Sequence, residues 1–561
     1  MVRPTTPEHA SNTKVSSSLL LLLPLLLFPS FAMSVSAAPC GDASAPVKPT
    51  TPLLSFLQRL QSAAFATLGP DGFDPKLYVD VPFKTDLAAT EEAFARLPRP
   101  GGVIPVSNLE RFLGDYFGEA GSDLVHAEPS DFVVEPEGFL PKVENPKVRA
   151  WALEVHSLWK NLSRRVSDEV RERPEQHTLL PLPWPGVVPG SRFREVYYWD
   201  SYWSISQPPL LSSMVFEIYM RTGDLAFVKK SLPSLLKEHS FWNSDIHKVI
   251  IQDLQGCKHS VSHYYAMWNK PRPESATIDE ESASNLTSAS QKENFYRQVA
   301  STAESGWDFS SRWMSNSSDL TTLATTSIIP VDLNAFIYKM ELDIAFFAKL
   351  IGDNSTSEKF LAASKARQAA IRSIFWNSEM EQWLDYWLIS KSNCEEVYQW
   401  EAHYQNRNIF ASNFIPLWIE TYNTDLCKDG TMVEKVLKSL QSSGLLHVAG
   451  IATSLSNTGE QWDFPNGWAP LQHMIVEGLT KSGSKEAKSV AEDIAIRWIR
   501  TNYAAYMKTG AMHEKYDVEA CGKIGGGGEY KPQTGFGWSN GVVLAFLEEF
   551  GWPRDREIEC Q

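Results

Sequence analysis

The sequence is poor in basic residues and has no positively charged stripe. Its 561 residues include 52 Lys and Arg against 67 Asp and Glu, which gives a formal net charge of −15. Nucleic-acid-binding proteins usually carry a basic patch, so this balance disfavours nucleic acid as a partner. A neutral small molecule fits better. With 43% hydrophobic and 21% charged residues, the chain is globular and not disordered.

Cysteine and histidine are also scarce, and neither shows the spacing of metal ligands. None of the 12 histidines forms an H-x-x-H pair. The six cysteines are scattered along the chain, at Cys40, Cys257, Cys394, Cys427, Cys521 and Cys560. This pattern argues against a zinc site. It is compatible with one or two structural disulfides, whose pairing the sequence leaves open.

One long uncharged run lies at the N-terminus. Val15–Ala38 contains no charged residue, follows Arg3 and Lys14, and carries a small-x-small pattern at residues 35–37. We interpret residues 1–38 as a secretory signal peptide. The alternative is an uncleaved signal anchor, because a run of this length can just span a bilayer of roughly 30 Å. Both interpretations place the rest of the chain in the secretory pathway, in an extracellular or cell-surface location.

Sequons support that compartment. Asn-x-Ser/Thr triplets, the acceptor pattern for N-glycosylation, occur at Asn161, Asn285, Asn316 and Asn354. We predict glycosylation at these four positions. A membrane partner is expected only if the N-terminal segment acts as an anchor, and the sequence does not indicate an oligomeric state.

Helical periodicity dominates residues 39–561, which we interpret as one catalytic domain without an internal linker. After Asn145-Pro146, apolar residues recur at helical spacing as far as Leu162. Similar patterns predict helices over residues 332–351, 357–376 and 485–507. Strand-like alternation is scarce. The pattern predicts an all-α protein of stacked or ringed helical hairpins with long loops.

Three of those loops combine acidic and aromatic residues. They read AESGWDFSSRW (303–313), EQWDFPNGWAP (460–470) and HEKYDVEACGKIGGGGEY (513–530). Aromatic rings contact the faces of sugars while acidic and basic side chains bind the hydroxyl groups, and glycoside hydrolysis needs two carboxylates. Each feature also has a simpler interpretation. A Trp-Asp pair arises by chance, a glycine run is often a surface turn, and arginines mostly form surface ion pairs.

The segment PGSRFREVYYWDSYW (189–203) resembles the first signature of the trehalases, glycoside hydrolase family 37, and QWDFPNGWAP (461–470) resembles the second. Five further segments match the family in order: NKPRPES, AESGWDFSSRW, PVDLNAF, EKYDV and GGGGEY. The resemblance covers about residues 50–552. It implies an (α/α)6 barrel, or toroid, and inverting hydrolysis of the disaccharide α,α-trehalose to two glucose molecules, with no metal or organic cofactor.

The same resemblance implies roles for individual residues. Asp308 would be the general acid and Glu514 the general base, with the tetraglycine run forming a lid over the sugar. The substrate-binding positions would be Arg192, Phe193, Tyr197, Trp199, Asp200, Gln207, Arg272, Glu274, Gly306, Trp462 and Glu529. Phe193, Tyr197 and Trp462 would supply ring contacts.

Two departures from the family pattern stand out. Ser191 replaces the second glycine of the first signature, a mild change if its φ is negative and a strained one if it is positive. The second departure follows Trp203, where the chain runs directly into Ser-Ile-Ser-Gln-Pro-Pro. The family has a helical hairpin, a sugar-binding asparagine and an arginine there, and Ile205 stands in the arginine position. We therefore expect a barrel with one helical hairpin missing.

Three hypotheses about activity follow. The chain is a functional trehalase, or a catalytically impaired or inactive isoform because of the deletion between Trp203 and Ser206. A third, weaker hypothesis is another inverting α-glucosidase on the same barrel.

Overall fold

The computed structural model describes residues 51–70, 73–195, 208–389, 397–419 and 431–560. All of them fall within one structural unit, Val35–Gln561. The N-terminal segment 1–38 lies outside the described residues. The same holds for four of the predicted substrate-binding residues, Tyr197, Trp199, Asp200 and Gln207.

The α-helices are numbered here in chain order. They are α1 Pro52–Leu68, α2 Leu87–Ala95, α3 Val106–Tyr116, α4 Pro146–Ser157, α5 Trp159–Leu162, α6 Asp168–Glu172, α7 Leu211–Thr222, α8 Leu225–Trp242, α9 Ala276–Ser282, α10 Ala289–Ser305, α11 Val331–Leu350, α12 Asn354–Ala370, α13 Thr431–Ser442, α14 Ala469–Lys481, α15 Lys485–Thr509 and α16 Gly537–Phe550. A 3₁₀ helix, Ala411–Leu417, precedes α13.

The strands are short and form small sheets of two or three strands. They are β1 Leu124–His126, β2 Ser163–Val166, β3 Gly186–Val187, β4 Lys248–Gln252, β5 Lys258–Ser262, β6 Ile328–Ile329, β7 Trp376–Asn377, β8 Gln382–Trp383, β9 Tyr386–Trp387, β10 Tyr398–Gln399, β11 Leu446–His447, β12 Gly450–Ile451, β13 Asn466–Trp468 and β14 Lys515–Asp517. Sheet pairs are antiparallel except β4 with β10.

Local sequence signals explain where the predicted helices begin. The side chain of Asn145 accepts hydrogen bonds from the amides of Lys147 and Val148 at 3.0 and 3.3 Å, which caps α4 as predicted. That helix ends at Ser157, and the short α5 follows it, so the predicted continuous helix to Leu162 is wrong at this point.

The other predicted helices are present with shifted ends. α11 and α15 lie within two residues of their predicted bounds. α12 begins three residues earlier than predicted, because Asp353 Oδ1 accepts a hydrogen bond from the amide of Thr356 at 3.0 Å and caps the helix there. It ends at Ala370, since a wider turn, Ile371–Phe375, follows.

The helices form a ring with an inner and an outer layer. Along the inner layer, α7 packs against α11, α11 against the 411–417 helix, that helix against α14, and α14 against α16. The outer helices α8, α12, α13, α15 and α4 pack against these inner segments. α11 is buried on nearly all sides, as an inner helix must be.

This arrangement confirms the predicted all-α toroid. Within the described ranges, the ring contains five inner and five outer helical segments, which is one helical hairpin short of the (α/α)6 barrel. The predicted place of the missing hairpin, directly after Trp203, lies between α4 and α7 and outside the described residues.

An N-terminal segment has a hydrophobic core of its own. Helices α1 to α3 bury a cluster of aromatic rings, in which Phe56 contacts Phe83, Phe94 and Phe117 with centroid distances of 5.5 to 6.4 Å. The segment is tied to the ring through Gln61, whose amide donates to Pro273 O at 2.9 Å. It therefore braces the loop that carries Arg272 and Glu274.

The structure pairs Cys521 with Cys560 in a disulfide. Cys257 is an exposed free thiol, and Cys40, Cys394 and Cys427 lie outside the described residues.

The asparagines of the four predicted glycosylation sites, Asn161, Asn285, Asn316 and Asn354, are all exposed. Among the residues that the structure describes, no helix has the length and apolar character to cross a membrane.

Candidate active site

A cavity of about 680 Å³ opens at the end of the helical ring where the polar and aromatic loops meet. Its size lies within the range of small-molecule sites. It is lined by all the predicted site residues that the structure describes, namely Arg192, Phe193, Arg272, Glu274, Gly306, Asp308, Trp462, Glu514 and Glu529.

Asp308 follows directly on the C-terminus of α10. Gly306 ends that helix in the left-handed region, at φ 76°, which turns the chain toward the cavity. The side-chain amide of Gln461 donates to the backbone oxygen of Asp308, and the Trp462 amide donates to Phe309 O at 3.0 Å. The loop that carries Asp308 is thus held by the second acidic loop, 460–470.

The loop that carries Asp308 also contains the buried Arg312. The Arg312 guanidinium forms paired hydrogen bonds of 2.7 to 3.0 Å with both Asp332 and Asp385. It also lies over the rings of Trp307 and Trp313, at 4.6 and 4.5 Å. Because every charge in this network has a partner, the backbone beside Asp308 is rigidly placed.

Asp308 has the environment of a general acid. Burial raises the pKa of its carboxyl to about 7, and the positive charge of Arg272 opposes that effect while Glu529 adds to it. Among the described residues, no other residue forms a hydrogen bond with the Asp308 carboxyl. Because burial outweighs the charge of Arg272, a large share of this carboxyl still carries its proton at neutral pH.

Glu514 has a different environment. Its Oε1 accepts a hydrogen bond from the Tyr530 hydroxyl at 2.7 Å, and its Oε2 accepts one from the Gln533 amide at 3.0 Å. Burial raises the pKa of Glu514 above its usual range and outweighs the Lys515 charge and these two donors, which lower it. The two donors still favour the ionised form that a general base requires, and Asp308 receives no such donor from another residue.

Strand pairing brings the two acidic loops together. β13 and β14 run antiparallel, with Gly467 opposite Tyr516 and Trp468 opposite Lys515. This two-stranded sheet places Glu514 beside the loop that carries Trp462. The pairing of these two strands could not be predicted from the sequence, because each has only three residues.

Lys515 is completely buried at the junction of these loops. Its ammonium group donates to Gln461 Oε1 at 2.8 Å and to the backbone oxygen of Gly527 at 3.2 Å. Burial lowers the pKa of Lys515 to about 8, against the raising effect of Glu514, Asp308 and Glu460. The charge of Lys515 therefore interacts electrostatically with both predicted catalytic carboxyls, although Lys515 does not line the cavity.

The glycine run is hydrogen-bonded to the neighbouring acidic loop, and its predicted role as a lid stays a prediction. The Gly526 amide donates to Asn466 Oδ1 at 3.0 Å, and the Gly528 amide donates to Gly459 O at 3.0 Å. A Cβ atom on Gly527 would lie 2.3 Å from Gly459 O, so only glycine allows this approach. The run fixes Glu529 and Tyr530 at the cavity wall.

Arg272 is positioned by two carboxylates. Its guanidinium donates to Asp279 at 2.7 Å and to Glu529 Oε1 at 2.9 Å. It also lies 5.1 Å above the ring of Phe309. The bridge between Arg272 and Glu529 joins the 269–275 segment to the end of the glycine run, so that both face one side of the cavity.

Arg192 makes contacts that the sequence did not indicate. Its guanidinium donates to both carboxylate oxygens of Asp74 at 2.7 to 3.2 Å, and it lies 4.9 Å from the Tyr530 ring centroid. Asp74 belongs to the N-terminal segment, outside every family motif.

Ser191 has φ 47°, so the strained alternative that the sequence allowed for its conformation is the one present.

Aromatic rings stack on one another in the wall of the cavity. Trp462 stacks on Trp468 at 3.9 Å and on Trp307 at 5.4 Å, while Phe193 meets Tyr530 edge to face at 5.5 Å. Much of Trp462 is therefore engaged with other rings. Its predicted contact with a sugar stays a prediction, as does that of Phe193.

Sequence reasoning missed several residues of the site. Tyr530 and Lys515 each stand next to a predicted residue within a recognised motif, which is a signal that was available. Gln461 likewise precedes Trp462. Asp74 and Asp279 carried no such signal, because only the fold brings them to Arg192 and Arg272.

A sequence model of the Trehalase family matches residues 71–206 and 204–551. A probable trehalase from Oryza sativa subsp. japonica is 60% identical over 551 aligned positions, which cover 91% of this chain and 97% of that protein. The chain belongs to the trehalase family. The trehalase of Arabidopsis thaliana is 53% identical, with coverage of 92% and 89%, and that of Homo sapiens is 35% identical, with coverage of 85% and 86%.

The comparisons also bear on the missing hairpin of this trehalase-family chain. The two stretches that match the family model meet at residues 204–206. The rice alignment has 551 positions, whereas 91% of 561 residues is roughly 510, so about 40 positions have no residue here. Both observations agree with a deletion after Trp203.

Proposed function

We propose that this protein hydrolyses α,α-trehalose to two glucose molecules with inversion at one anomeric carbon, using Asp308 as general acid and Glu514 as general base. Membership of the family supports trehalose as the substrate, and the geometry of the cavity supports the roles of the two carboxyls. The decisive observation is the contrast between two carboxyls of one cavity, since Asp308 lacks donors that Glu514 has.

The reaction follows from that contrast. Asp308 transfers its proton to the glycosidic oxygen as the bond from that oxygen to the anomeric carbon breaks. Glu514 removes a proton from a water molecule, whose oxygen forms the new bond to the same carbon from the opposite face. One C–O bond is exchanged for another, and the products are one β-glucose and one α-glucose. Proton exchange with solvent restores both carboxyls.

The remaining side chains of the cavity suit a sugar. Arg272, Glu274 and Glu529 offer charged donors and acceptors to vicinal hydroxyl groups, and Arg192 lies at the cavity wall beside Tyr530. Because Asp279 and Asp74 hold the two guanidinium groups in place, little ordering is needed on binding.

A direct test compares substrates and product anomers. The purified chain is incubated with trehalose, maltose and sucrose, and the first products are followed by proton NMR. Release of β-glucose and α-glucose in equal initial amounts from trehalose, with little turnover of the other two sugars, is expected. Initial release of α-glucose alone would contradict inversion, and preferential turnover of maltose would favour another α-glucosidase.

We further propose that the chain enters the secretory pathway and is glycosylated. Support comes from the uncharged N-terminal run and from the exposure of the four sequon asparagines. Expression in a eukaryotic secretory host, glycosidase treatment and N-terminal sequencing test it. Unglycosylated cytosolic protein would contradict it, and a mature N-terminus after residue 37 or 38 would distinguish cleavage from anchoring.

A further inference from the structure

Lys76 is a buried cation in the wall of the candidate active site. It belongs to the N-terminal segment and lies in none of the stretches that resemble the family signatures. It sits in a 3₁₀ turn, Pro75–Tyr78, which Asp74 caps by accepting a hydrogen bond from the Lys76 amide at 3.1 Å. A buried ammonium group needs charged or polar partners, so the partners of Lys76 indicate what it does.

Two carboxylates hold this ammonium group. Lys76 Nζ donates to Asp80 Oδ1 at 3.1 Å and to Glu195 Oε1. Asp80 comes only four residues later, but Glu195 is 119 positions away from Lys76. Glu195 lies in the stretch that resembles the first family signature and is not among the predicted substrate-binding residues. Lys76 therefore links the N-terminal segment to residues 190–195.

Neighbouring residues of this stretch are held by the N-terminal segment as well. Asp74, two residues before Lys76, accepts hydrogen bonds of 2.7 to 3.2 Å from the Arg192 guanidinium. The Arg194 guanidinium donates to the backbone oxygen of Ala120. The N-terminal segment thus contacts three residues of the 190–195 stretch, and two of these contacts come from one short turn.

The 190–195 stretch in turn touches the surroundings of the proposed base. The Arg192 amide donates to Gln533 Oε1 at 3.1 Å, and the Gln533 amide donates to Glu514 Oε2 at 3.0 Å. The Phe193 amide donates to Gly190 O at 3.0 Å and closes a turn within the stretch. A displacement of this stretch would therefore move two predicted substrate-binding residues at once.

We propose that Lys76 is a positioning residue of the active site. Through Glu195 it sets the place of the 190–195 stretch, and together with Asp74 it keeps Arg192 at the cavity wall. A stretch that is already in place needs little ordering when the sugar binds. The inference rests on the proposed function, because it takes Arg192 as a residue that binds trehalose.

Glu195→Ala tests this role in steady-state kinetics. The variant removes one partner of Lys76 but leaves Asp80, and the Glu195 side chain is 28% exposed, so the fold should tolerate the change. KM for trehalose should rise by ~tenfold, because a hydrogen bond to a charged group is lost and binding must then order the stretch. The value of kcat should change less, since Glu514 keeps its hydrogen bond from Tyr530.

Two further variants separate positioning from general stability. Glu195→Gln keeps an acceptor for the ammonium group and should recover part of the loss in KM. Glu91→Ala is the matched control, because it breaks the Arg59–Glu91 ion pair of the same N-terminal segment, whose side chains are 56% and 38% exposed. It should leave KM unchanged, since an exposed ion pair contributes little and this pair does not line the cavity.

Hydrogen exchange followed by mass spectrometry gives a second readout that needs no turnover. Peptides that cover residues 188–195 should exchange ~tenfold faster in Glu195→Ala and in Lys76→Met than in the unaltered chain, because the amides of Arg192 and Phe193 lose their fixed acceptors. Peptides from the glycine run should keep their rate. Glu195→Ala decides the result if Lys76→Met fails to fold.

Three results would overturn the proposal. These are unchanged exchange of residues 188–195 in folded Glu195→Ala, a KM of Glu195→Ala equal to that of Glu91→Ala, or a lower thermal midpoint of Glu195→Ala with KM unmoved. The last result would assign the ion pair to stability alone. Faster exchange in a chain that hydrolyses no trehalose would support the positioning role and contradict the proposed function, whereas normal turnover with unchanged exchange would do the reverse.

Discussion

The ammonium group of Lys515 lies 2.8 Å from Gln461 Oε1, and the other end of the Gln461 amide donates to the backbone oxygen of Asp308. Lys515, the residue that follows the proposed base Glu514, is thereby linked through Gln461 to the loop that carries the proposed acid. The same ammonium donates to Gly527 O and so also reaches the glycine run. The loop of Asp308 and the glycine run are thereby held to the same ammonium group.

Lys515→Met should shift the acid limb of the pH profile upward. A neighbouring positive charge lowers a carboxyl pKa, and the Lys515 charge acts this way on Glu514. Without it, Glu514 takes up a proton at higher pH, and kcat/KM for trehalose falls earlier as pH decreases. Lys515→Arg keeps the charge and is the control. An acid limb that stays fixed or moves to lower pH in the methionine variant would contradict this role.

Asp308→Asn and Glu514→Gln should each reduce turnover by ~10²-fold or more while the protein stays folded, because general acid–base catalysis contributes about 10² to 10⁴. Because the pKa of Asp308 is raised to about 7, kcat/KM of the unaltered enzyme should decline above pH 7 as the acid ionises. Steady-state kinetics and circular dichroism check both points. Near-normal turnover in either variant would show that the residue does not have its assigned role.

Tyr530→Phe removes one donor to the proposed base but keeps the ring. The lost hydrogen bond to Glu514 Oε1 raises the pKa of Glu514, so that kcat/KM should fall most at low pH. A loss of about 10- to 150-fold at low pH is expected, because one hydrogen bond to a charged group contributes about 1.5–3 kcal/mol. The ring still packs against Arg192 and Phe193, so binding should change less than turnover. A uniform loss at all pH values would argue for a packing defect instead.

Ser191→Gly should stabilise the protein. Ser191 has φ 47°, a left-handed conformation that costs a residue with a Cβ atom about 1–2 kcal/mol. The entropy that glycine loses on folding offsets part of this, which leaves a gain of ~0.5–1 kcal/mol in the free energy of unfolding. Urea denaturation measures it. The matched Gly190→Ala variant should be destabilised, since its Cβ would lie 2.5 Å from Gly535 O.

Arg312→Met should be strongly destabilising. The substitution leaves Asp332 and Asp385 buried without their cation, and breaking a buried ion pair in this way costs about 3–5 kcal/mol. Arg312→Lys restores the charge but not the paired geometry, so its loss should be smaller. Denaturant unfolding of the two variants side by side provides the measurement. Equal stability of Arg312→Met and the unaltered chain would mean that the network is not needed for the fold.

The sequence by itself determined the features that depend on neighbouring residues. Helix α4 begins at Asn145-Pro146 because a capping side chain and a proline act within one turn. Periodic apolar residues gave α11 and α15 nearly their observed bounds. The motifs placed Asp308, Glu514 and Arg272 in one site, and the break after Trp203 predicted a ring short of one hairpin, because each of these signals is continuous in the chain.

Contacts between distant segments were decided only by the tertiary structure. Asp74 and Arg192 are far apart in sequence, as are Lys515 and Gln461, and no local pattern specifies either pair. The pairing of Cys521 with Cys560 and the packing of Gly527 against Gly459 are of the same kind. The raised pKa values of Asp308 and Glu514 likewise arise from burial, opposed by charges on other loops, and these surroundings exist only once the chain has folded.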